Sequence, residues 1–174
     1  QLQKIFPESK VHVIPNGLSI VDAGPATHLR REFREFHNIP LDAALVGTLG
    51  ELKPLKGQRD FVIAASEIAK TNPDCHFVVA GAEHTENGHF RRELRRLVMV
   101  FGLQDRFLWL GWLDDAAPVH AALDVLGSPS HSERLGLARL GAVDLGVAVG
   151  ATNTSTDQVR PGIVGVYVSC DDAC

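Results

Sequence analysis

The sequence predicts a Rossmann-like doubly wound α/β domain, in which a parallel sheet is covered by helices on both faces. Short apolar runs alternate with longer stretches of helical spacing along the 174 residues. The runs are rich in Val, Ile and Ala with little polar alternation, which is typical of strands buried on both faces of a parallel sheet. Because 174 residues with 45% hydrophobic side chains suit one core, we treat residues 1–174 as a single domain.

Each element is placed by its own pattern. The predicted strands are Val11–Ile14, Ala43–Leu49, Cys75–Ala80, Phe107–Leu110, Asp124–Gly127, Val147–Ala151 and Ile163–Val168. The predicted helices are Pro25–His37, Gly57–Thr71, Glu86–Phe101, Asp114–Leu123 and Arg134–Leu145. Pro25 suits the first turn of its helix, and Asp114 is expected to cap the N-terminus of another.

Four loops follow predicted strands and are the first candidates for a site. In doubly wound sheets, ligands bind beyond the carboxyl ends of the strands. We therefore expect one rim to be shared by the loops Gly47–Gly57, Gly81–Asn87, Gly111–Asp115 and Ser128–Glu133.

Lys53 and Lys56 precede a predicted helix in the first of these loops. Backbone N–H groups and the positive end of the helix dipole favour an anion there, and lysine adds a point charge suited to a diphosphate. The loop is not a P-loop, because the GxxxxGK[ST] spacing is missing, and no GxGxxG pattern follows a strand. The alternative is that both lysines are solvated loop charges.

Glu133 opens a predicted helix after Pro129, where a carboxylate can act simply as a helix cap. The functional alternative is that Glu133 accepts hydrogen bonds from ligand hydroxyls at the rim. The position eight residues on, about 12 Å further along a helix, could hold a second acid for the other end of a long polar ligand. Here that position is Gly141.

The histidines His84, His89, His120 and His131 show no convincing metal-ligand spacing, so we expect surface or turn histidines. His131 is the exception, because it lies beside Glu133 and could contact phosphate. Four arginines at 91, 92, 95 and 96 share a predicted helix with apolar residues, which is typical of an outer helix. A surface for membranes or an anionic partner is the less favoured interpretation of these arginines.

Composition restricts the partners. A net charge of −4 and a pI near 6.0 argue against broad electrostatic binding of nucleic acid. Three cysteines without a CxxC pattern favour a reducing compartment, with the cytoplasm as the default. No segment resembles a signal peptide or a membrane span. The chain lacks an initiator Met and stops where an acidic, helix-starting pattern begins, so we expect it to be part of a longer protein.

Five segments in order resemble the C-terminal, donor-binding domain of retaining GT-B glycosyltransferases of group 1, a family that includes bacterial lipopolysaccharide and mannosyl transferases. Val13–Gly17 is similar to the first strand and turn of that domain, and Val46–Leu49 with Lys56–Gln58 is similar to its "GRL...KG" loop. Phe77–Gly81 resembles the next strand and glycine turn. Asp105–Gly111 resembles "drV.flG", and Ser128–Leu137 resembles "PS..E.fGl".

The resemblance implies a nucleotide-diphosphate-sugar donor, such as a UDP- or GDP-sugar, and no cofactor or metal. Glu133 and Lys56 would be the catalytic residues: Glu133 would hold donor-sugar hydroxyls, and Lys56, alone or with Lys53, would neutralise the leaving diphosphate. Gly81 would let the donor approach the chain closely, and the backbone of Leu110 and Gly111 would border the nucleobase. The implied donor-binding set is Thr48, Lys53, Lys56, Gly81, Leu110, Gly111, His131, Glu133, Leu135, Gly136 and Leu137.

A separate N-terminal domain, absent from this chain, would bind a glycan or lipid-linked acceptor in that family. The resemblance thus implies an enzyme active only as a longer parent protein, in the cytoplasm or peripheral to the inner face of the cell membrane. No nucleic acid partner is expected.

The chain also departs from the family pattern. Thr48 stands where the arginine of "GRL" is usual, and Gly141 replaces the second glutamate. Loss of one charged hydrogen bond costs roughly 1.5–3 kcal/mol, or about 10- to 150-fold in donor affinity. Two alternatives follow: a diverged, non-catalytic interaction module with a decayed donor site, and an unrelated doubly wound domain of flavodoxin or sugar-phosphate type.

Overall fold

The computed structural model describes residues 23–85, 87–131, 137–151 and 165–167. The elements follow in the order α1 (Ala23–Phe36), β1 (Leu45–Leu49), α2 (Gln58–Thr71), β2 (His76–Ala80), α3 (His89–Val100), β3 (Phe107–Gly111), α4 (Ala117–Ala122), β4 (Val125–Ser128), α5 (Leu137–Asp144), β5 (Ala148–Ala151) and β6 (Gly165–Tyr167). Short 3-10 turns precede α2 and β3. The predicted strand Val11–Ile14 lies outside the described residues.

The six described strands form one parallel sheet in the order β3-β2-β1-β4-β5-β6. The chain winds outward from β1 through β2 to β3, then returns to place β4 on the other side of β1. This reversal between β1 and β4 is the switch point at which doubly wound sheets leave a crevice for ligands. The predicted Rossmann-like fold is confirmed.

Two apolar clusters cover the two faces of the sheet. Successive residues of β2 alternate between them, because side chains of a strand point to opposite faces: Phe77 and Val79 join one cluster and Val78 joins the other. Helices α2 and α3 complete the first cluster, whereas α1, α4 and α5 complete the second. Strands β1, β2 and β3 contribute side chains to both clusters and are therefore held between two helical layers.

Helix α3 is the outer helix that the sequence predicts, but it begins at His89 rather than Glu86. Phe90, Leu94 and Val98 are buried, whereas the arginines at 91, 92, 95 and 96 are exposed. The later start follows from Gly88, which adopts a left-handed conformation, φ +54°. The carboxylate of Glu83 then accepts hydrogen bonds from the N–H groups of residues 90 and 91 at 3.0 and 2.8 Å, so a loop residue caps the helix.

The predicted cap of α4 is wrong by one residue. Asp115, and not Asp114, accepts a hydrogen bond from the N–H of Ala117 at 2.9 Å. The carboxylate of Asp114 instead accepts from the indole Nε1 of Trp112 at 3.2 Å. Because α4 begins at Ala117, the residue two positions before its start is the one within reach of the first N–H groups.

A buried arginine fixes α1 against the rest of the domain. The Arg34 side chain is 0% exposed and donates to the carbonyls of Ala43 and Ala122 and to the Asp124 carboxylate, at 2.7 to 3.1 Å. Asp124 also accepts from Arg30 and from the N–H of Leu45, both at 2.7 Å. This network lies at the amino end of the sheet, opposite the rim where ligands are expected.

Candidate functional site

The predicted rim exists, because backbone hydrogen bonds join its four loops. Gly50 and Leu52, after β1, donate to the carbonyls of Ala80, the last residue of β2, and of Ala82, in the loop after it, at 2.9 Å each. Gly81 donates to the carbonyl of Gly111 at the end of β3 at 2.6 Å. The N–H of His131, after β4, donates to the carbonyl of Leu55 at 3.0 Å. The described parts of the four loops therefore meet at one edge of the sheet, as predicted.

Two glycines allow these loops to approach so closely. A Cβ on Gly81 would lie 1.9 Å from the carbonyl oxygen of Gly50, and one on Gly57 would lie 2.0 Å from that of Pro129. Both glycines also have positive φ angles, +142° and +68°. Within the chain, the backbone that Gly81 allows to approach closely is that of Gly50. That Gly81 also lets a donor approach stays a prediction.

Lys53 and Lys56 both lie on the first loop, but each already has a partner. The Lys53 ammonium makes an ion pair with the Glu51 carboxylate, and Lys56 is half-buried and also interacts with another group. The hydrogen bond from Lys53 is the main reason that the pKa of Glu51 lies below its ordinary value, with burial opposing it. A diphosphate would therefore compete with Glu51 for Lys53, a partner that the sequence interpretation missed.

Gln58 connects this loop to α2. It is fully buried at the first position of the helix, and its amide nitrogen donates to the carbonyl of Glu51 at 2.8 Å. Its side-chain oxygen is buried and has no hydrogen-bond partner among the described residues. The contact fixes the turn that carries both lysines relative to the helix N-terminus.

The remaining predicted site residues are distributed unevenly. Thr48 is 4% exposed within β1, so it offers almost no surface to a ligand. Leu110 packs against a core cluster, and Gly111, φ +72°, has open space beside it. The His131 ring is exposed and lies 2.9 Å from the Asp60 carboxylate of α2. Leu137 begins α5 and is exposed, whereas Glu133, Leu135 and Gly136 lie outside the described residues.

A cleft of about 500 Å³ opens beside this rim, within the size range of small-molecule sites. It lies between the end of β1, the loop from β3 into α4, and helices α4 and α5. Its lining residues are Leu49, Gly50, Trp112, Asp115, Ala116, Ala117, His120, Leu137, Ala138, Gly141, Asp144 and Leu145. The lining is predominantly apolar, and the Trp112 side chain, 68% exposed, is its largest aromatic surface.

The prediction of a surface or turn histidine is wrong for His120. Its side chain is 5% exposed, and burial lowers its pKa below the ordinary value despite the opposing effect of Asp115. A Cβ on Gly141 would lie 3.2 Å from His120 Nε2, so the absence of a side chain at 141 leaves room for the ring. The neighbours of His120 on α4, Val119, Ala121 and Ala122, are buried too, and this apolar setting is the sequence signal that was missed.

Metal-ligand groups and membrane-spanning helices were also sought among the described residues. Within the described ranges, no group of three or more His, Cys, Asp or Glu side chains is arranged to hold a metal ion. None of the helices in the part of the chain that the structure describes is long and apolar enough to cross a membrane.

Comparison with curated proteins finds similar sequences among sugar transferases. The chain is 34% identical over 164 residues to a 2-deoxystreptamine N-acetyl-D-glucosaminyltransferase of Streptomyces fradiae, covering 88% of this chain and 37% of that protein. It is 31% identical over 148 residues to the O-antigen biosynthesis glycosyltransferase WclY of Escherichia coli, covering 85% and 39%. The chain thus spans well under half the length of these relatives.

Solved structures share the fold. The C-terminal domain of the group 1 glycosyl transferase LpcC of Francisella tularensis superposes with a TM-score of 0.67 at 28% identity, over 80% of this chain and 74% of that one. Anabaena HepE, solved with UDP and glucose, superposes with a TM-score of 0.72 at 22% identity, over 97% and 45%. The profile of the family described as "Glycosyl transferases group 1" matches residues 43–174. The chain therefore belongs to the group 1 glycosyltransferase family.

Proposed function

We propose that this chain binds the nucleotide-sugar donor of a glycosyltransferase that builds glycan or lipopolysaccharide. The observation that carries the proposal is the meeting of the loops after β1 and β4 at the switch point of the sheet. There, a turn with two lysines leads into α2 and packs against Pro129 through Gly57. A helix N-terminus beside two ammonium groups attracts a diphosphate through its N–H groups and through charge.

Each residue has a role in this proposal. Lys56, with Lys53 released from Glu51, neutralises the leaving diphosphate. Glu133 accepts hydrogen bonds from the donor-sugar hydroxyls, and the N–H groups of 135–137 bind phosphate. The sugar is transferred with retention of the anomeric configuration to a glycan or lipid-linked acceptor held by a second domain of the whole protein. The relatives' names support the transferase class, and the UDP and glucose found with HepE support the kind of donor.

Calorimetry with UDP, UDP-sugars and GDP-sugars tests donor binding directly. Lys56→Ala is expected to weaken binding by about 10- to 150-fold, because a hydrogen bond between charged groups is lost. Lys70→Ala is the matched control, since it removes the same charge from the far end of α2, where Lys70 pairs with Glu67. Equal affinities of the two variants would contradict the proposed site.

The same titration decides between the donor site and a diverged interaction module. Saturable binding that Glu133→Ala and Lys56→Ala both weaken supports the donor site. Silence of the unaltered chain up to millimolar donor would favour the decayed module instead. In the whole protein, the anomeric configuration of the product, read by NMR, tests retention separately from binding.

A further inference from the structure

His120 is a buried, polar side chain in the wall of the cleft, and its hydrogen bonds are incomplete. Its Nδ1 is inaccessible to solvent and has no partner among the described residues. Its Nε2 is on the side of Gly141, 3.2 Å from the place where a Cβ on that residue would lie. Both residues line the cleft, and of the two ring nitrogens only Nδ1 is among the solvent-inaccessible atoms without a partner. Nε2 is therefore the ring nitrogen that a molecule in the cleft could reach.

The buried Nδ1 determines which nitrogen carries the proton. A neutral imidazole has one N–H, and burial keeps the His120 ring neutral by lowering its pKa. A buried donor without a partner is rarer in proteins than a buried acceptor that lacks one. The favoured tautomer therefore leaves Nδ1 unprotonated and places the N–H on Nε2, where a bound molecule can reach it.

The cleft suits the uncharged part of a nucleotide. The carboxylates of Asp115 and Asp144 line it, and none of its described lining residues is Lys or Arg. Phosphate would be repelled there, whereas the lysines of the neighbouring loop attract it. The apolar walls and the exposed Trp112 ring offer contacts to a base or a sugar ring.

We infer that His120 is a ligand-binding residue whose Nε2–H donates a hydrogen bond to an uncharged oxygen of the nucleoside part of the donor. This inference rests on the proposed function. The ring stands next to Gly141, where the family pattern has a glutamate. A carboxylate there would accept hydrogen bonds from ligand hydroxyls, whereas the imidazole N–H donates one. Beside position 141, this chain therefore donates a hydrogen bond to the nucleoside, whereas a glutamate at 141 would accept one.

Variants of His120 test this contact with UDP as the probe. His120→Phe keeps a planar ring but removes the N–H, and it is expected to weaken UDP about three- to tenfold, the effect of one neutral hydrogen bond. Binding of inorganic pyrophosphate should not change. His120→Gln, whose amide N–H reaches a similar position, should recover part of the UDP affinity. His76→Phe is the control, because it removes another histidine at the opposite edge of the sheet.

NMR of the ring nitrogens provides a readout that a purely structural role would not change. Long-range ¹H–¹⁵N spectra should show His120 protonated on Nε2, and UDP should shift that nitrogen more than Nδ1. A proton on Nδ1, or unchanged UDP affinity in a folded His120→Phe variant, would overturn the inference. If Lys56→Ala still weakens UDP in that case, the proposed function stands alone; if the unaltered chain binds no UDP, both fail.

Discussion

Placing the family's glutamate at position 141 is a severe test of how His120 packs. From the sequence alone, Gly141→Glu is expected to raise donor affinity, because it restores a carboxylate that can accept from ligand hydroxyls. The structure adds a steric cost: a new Cβ would lie 3.2 Å from Nε2 and 3.4 Å from Cδ2 of His120. Because His120 is buried, the ring must move by a few tenths of an ångström against packed neighbours.

The smaller change, Gly141→Ala, allows the steric cost to be compared with the gain in helix propensity, without a new carboxylate. An alanine within α5 should gain about 0.5–1 kcal/mol over glycine from reduced backbone entropy. Overpacking against a buried ring costs about 1–3 kcal/mol. We therefore expect Gly141→Ala to lower the free energy of unfolding by about 0 to 2.5 kcal/mol. Gly150→Ala is the control, since a Cβ there meets no atom of the described residues within 4 Å.

The double variant Gly141→Glu/His120→Ala should recover the stability that Gly141→Glu loses through contact with the His120 ring. Removing the ring relieves the contact, so the two substitutions should couple by about 0.5–3 kcal/mol in a double-mutant cycle. Denaturant unfolding measures the stabilities, and UDP calorimetry shows whether the glutamate now gains affinity. A Gly141→Ala variant that is more stable than the unaltered chain by the full helix-propensity gain would refute the packing described for His120.

Three further predictions concern the scaffold. Arg34→Met should cost about 3–5 kcal/mol of unfolding free energy, measured by denaturant titration, because the buried carbonyls of Ala43 and Ala122 lose their donor and Asp124 loses one of its two arginines. The exposed Arg31→Ala should change little. Glu83→Ala should cost ~1 kcal/mol by removing the cap of α3. Burial raises the pKa of Glu83, but its hydrogen bonds outweigh this effect and hold the pKa below its ordinary 4.5. The stabilisation by Glu83 is therefore complete above about pH 4.5 and is lost as the pH falls further. If unfolding measured from pH 7 to 3 shows the same decline in Glu83→Ala, this explanation is contradicted. Gly57→Ala should abolish UDP binding and lower the melting temperature, since its Cβ would overlap a carbonyl oxygen at 2.0 Å; unchanged melting would exclude the close contact.

The sheet was predictable from the sequence because parallel strands buried on both faces leave uninterrupted apolar runs. His76–Ala80 shows the basis of this: consecutive side chains enter opposite clusters, so none of the three central positions can be polar. The helix starts were less predictable. Glu83 and Asp115 cap helices from the preceding loops, and this depends on loop conformations that the local sequence pattern does not encode.

The meeting of the four loops at the candidate site was predictable from topology, but the environment of its side chains was not. The rule for doubly wound sheets placed the four loops at one edge without any knowledge of side-chain contacts. It could not reveal that Lys53 pairs with Glu51 or that His120 lies against Gly141, since those contacts join residues through backbone turns or between separate helices. Arg34 was missed for a similar reason, because an arginine on an amphipathic helix indicates a solvated face.

The close packing at Gly81 determines how a loss of ligand binding in variants of this chain should be interpreted. The backbone of Gly50 occupies the space beside Gly81, and the Gly81 N–H donates to Gly111, so three loops are locked before any ligand arrives. A rim built in this way is preorganised, and a donor would lose less entropy in ordering it. A substitution at Gly81 would separate these loops without removing any atom that contacts a ligand. Loss of binding in such a variant is therefore evidence for loop packing, whereas loss in a folded Lys56→Ala variant is evidence for contact with the donor.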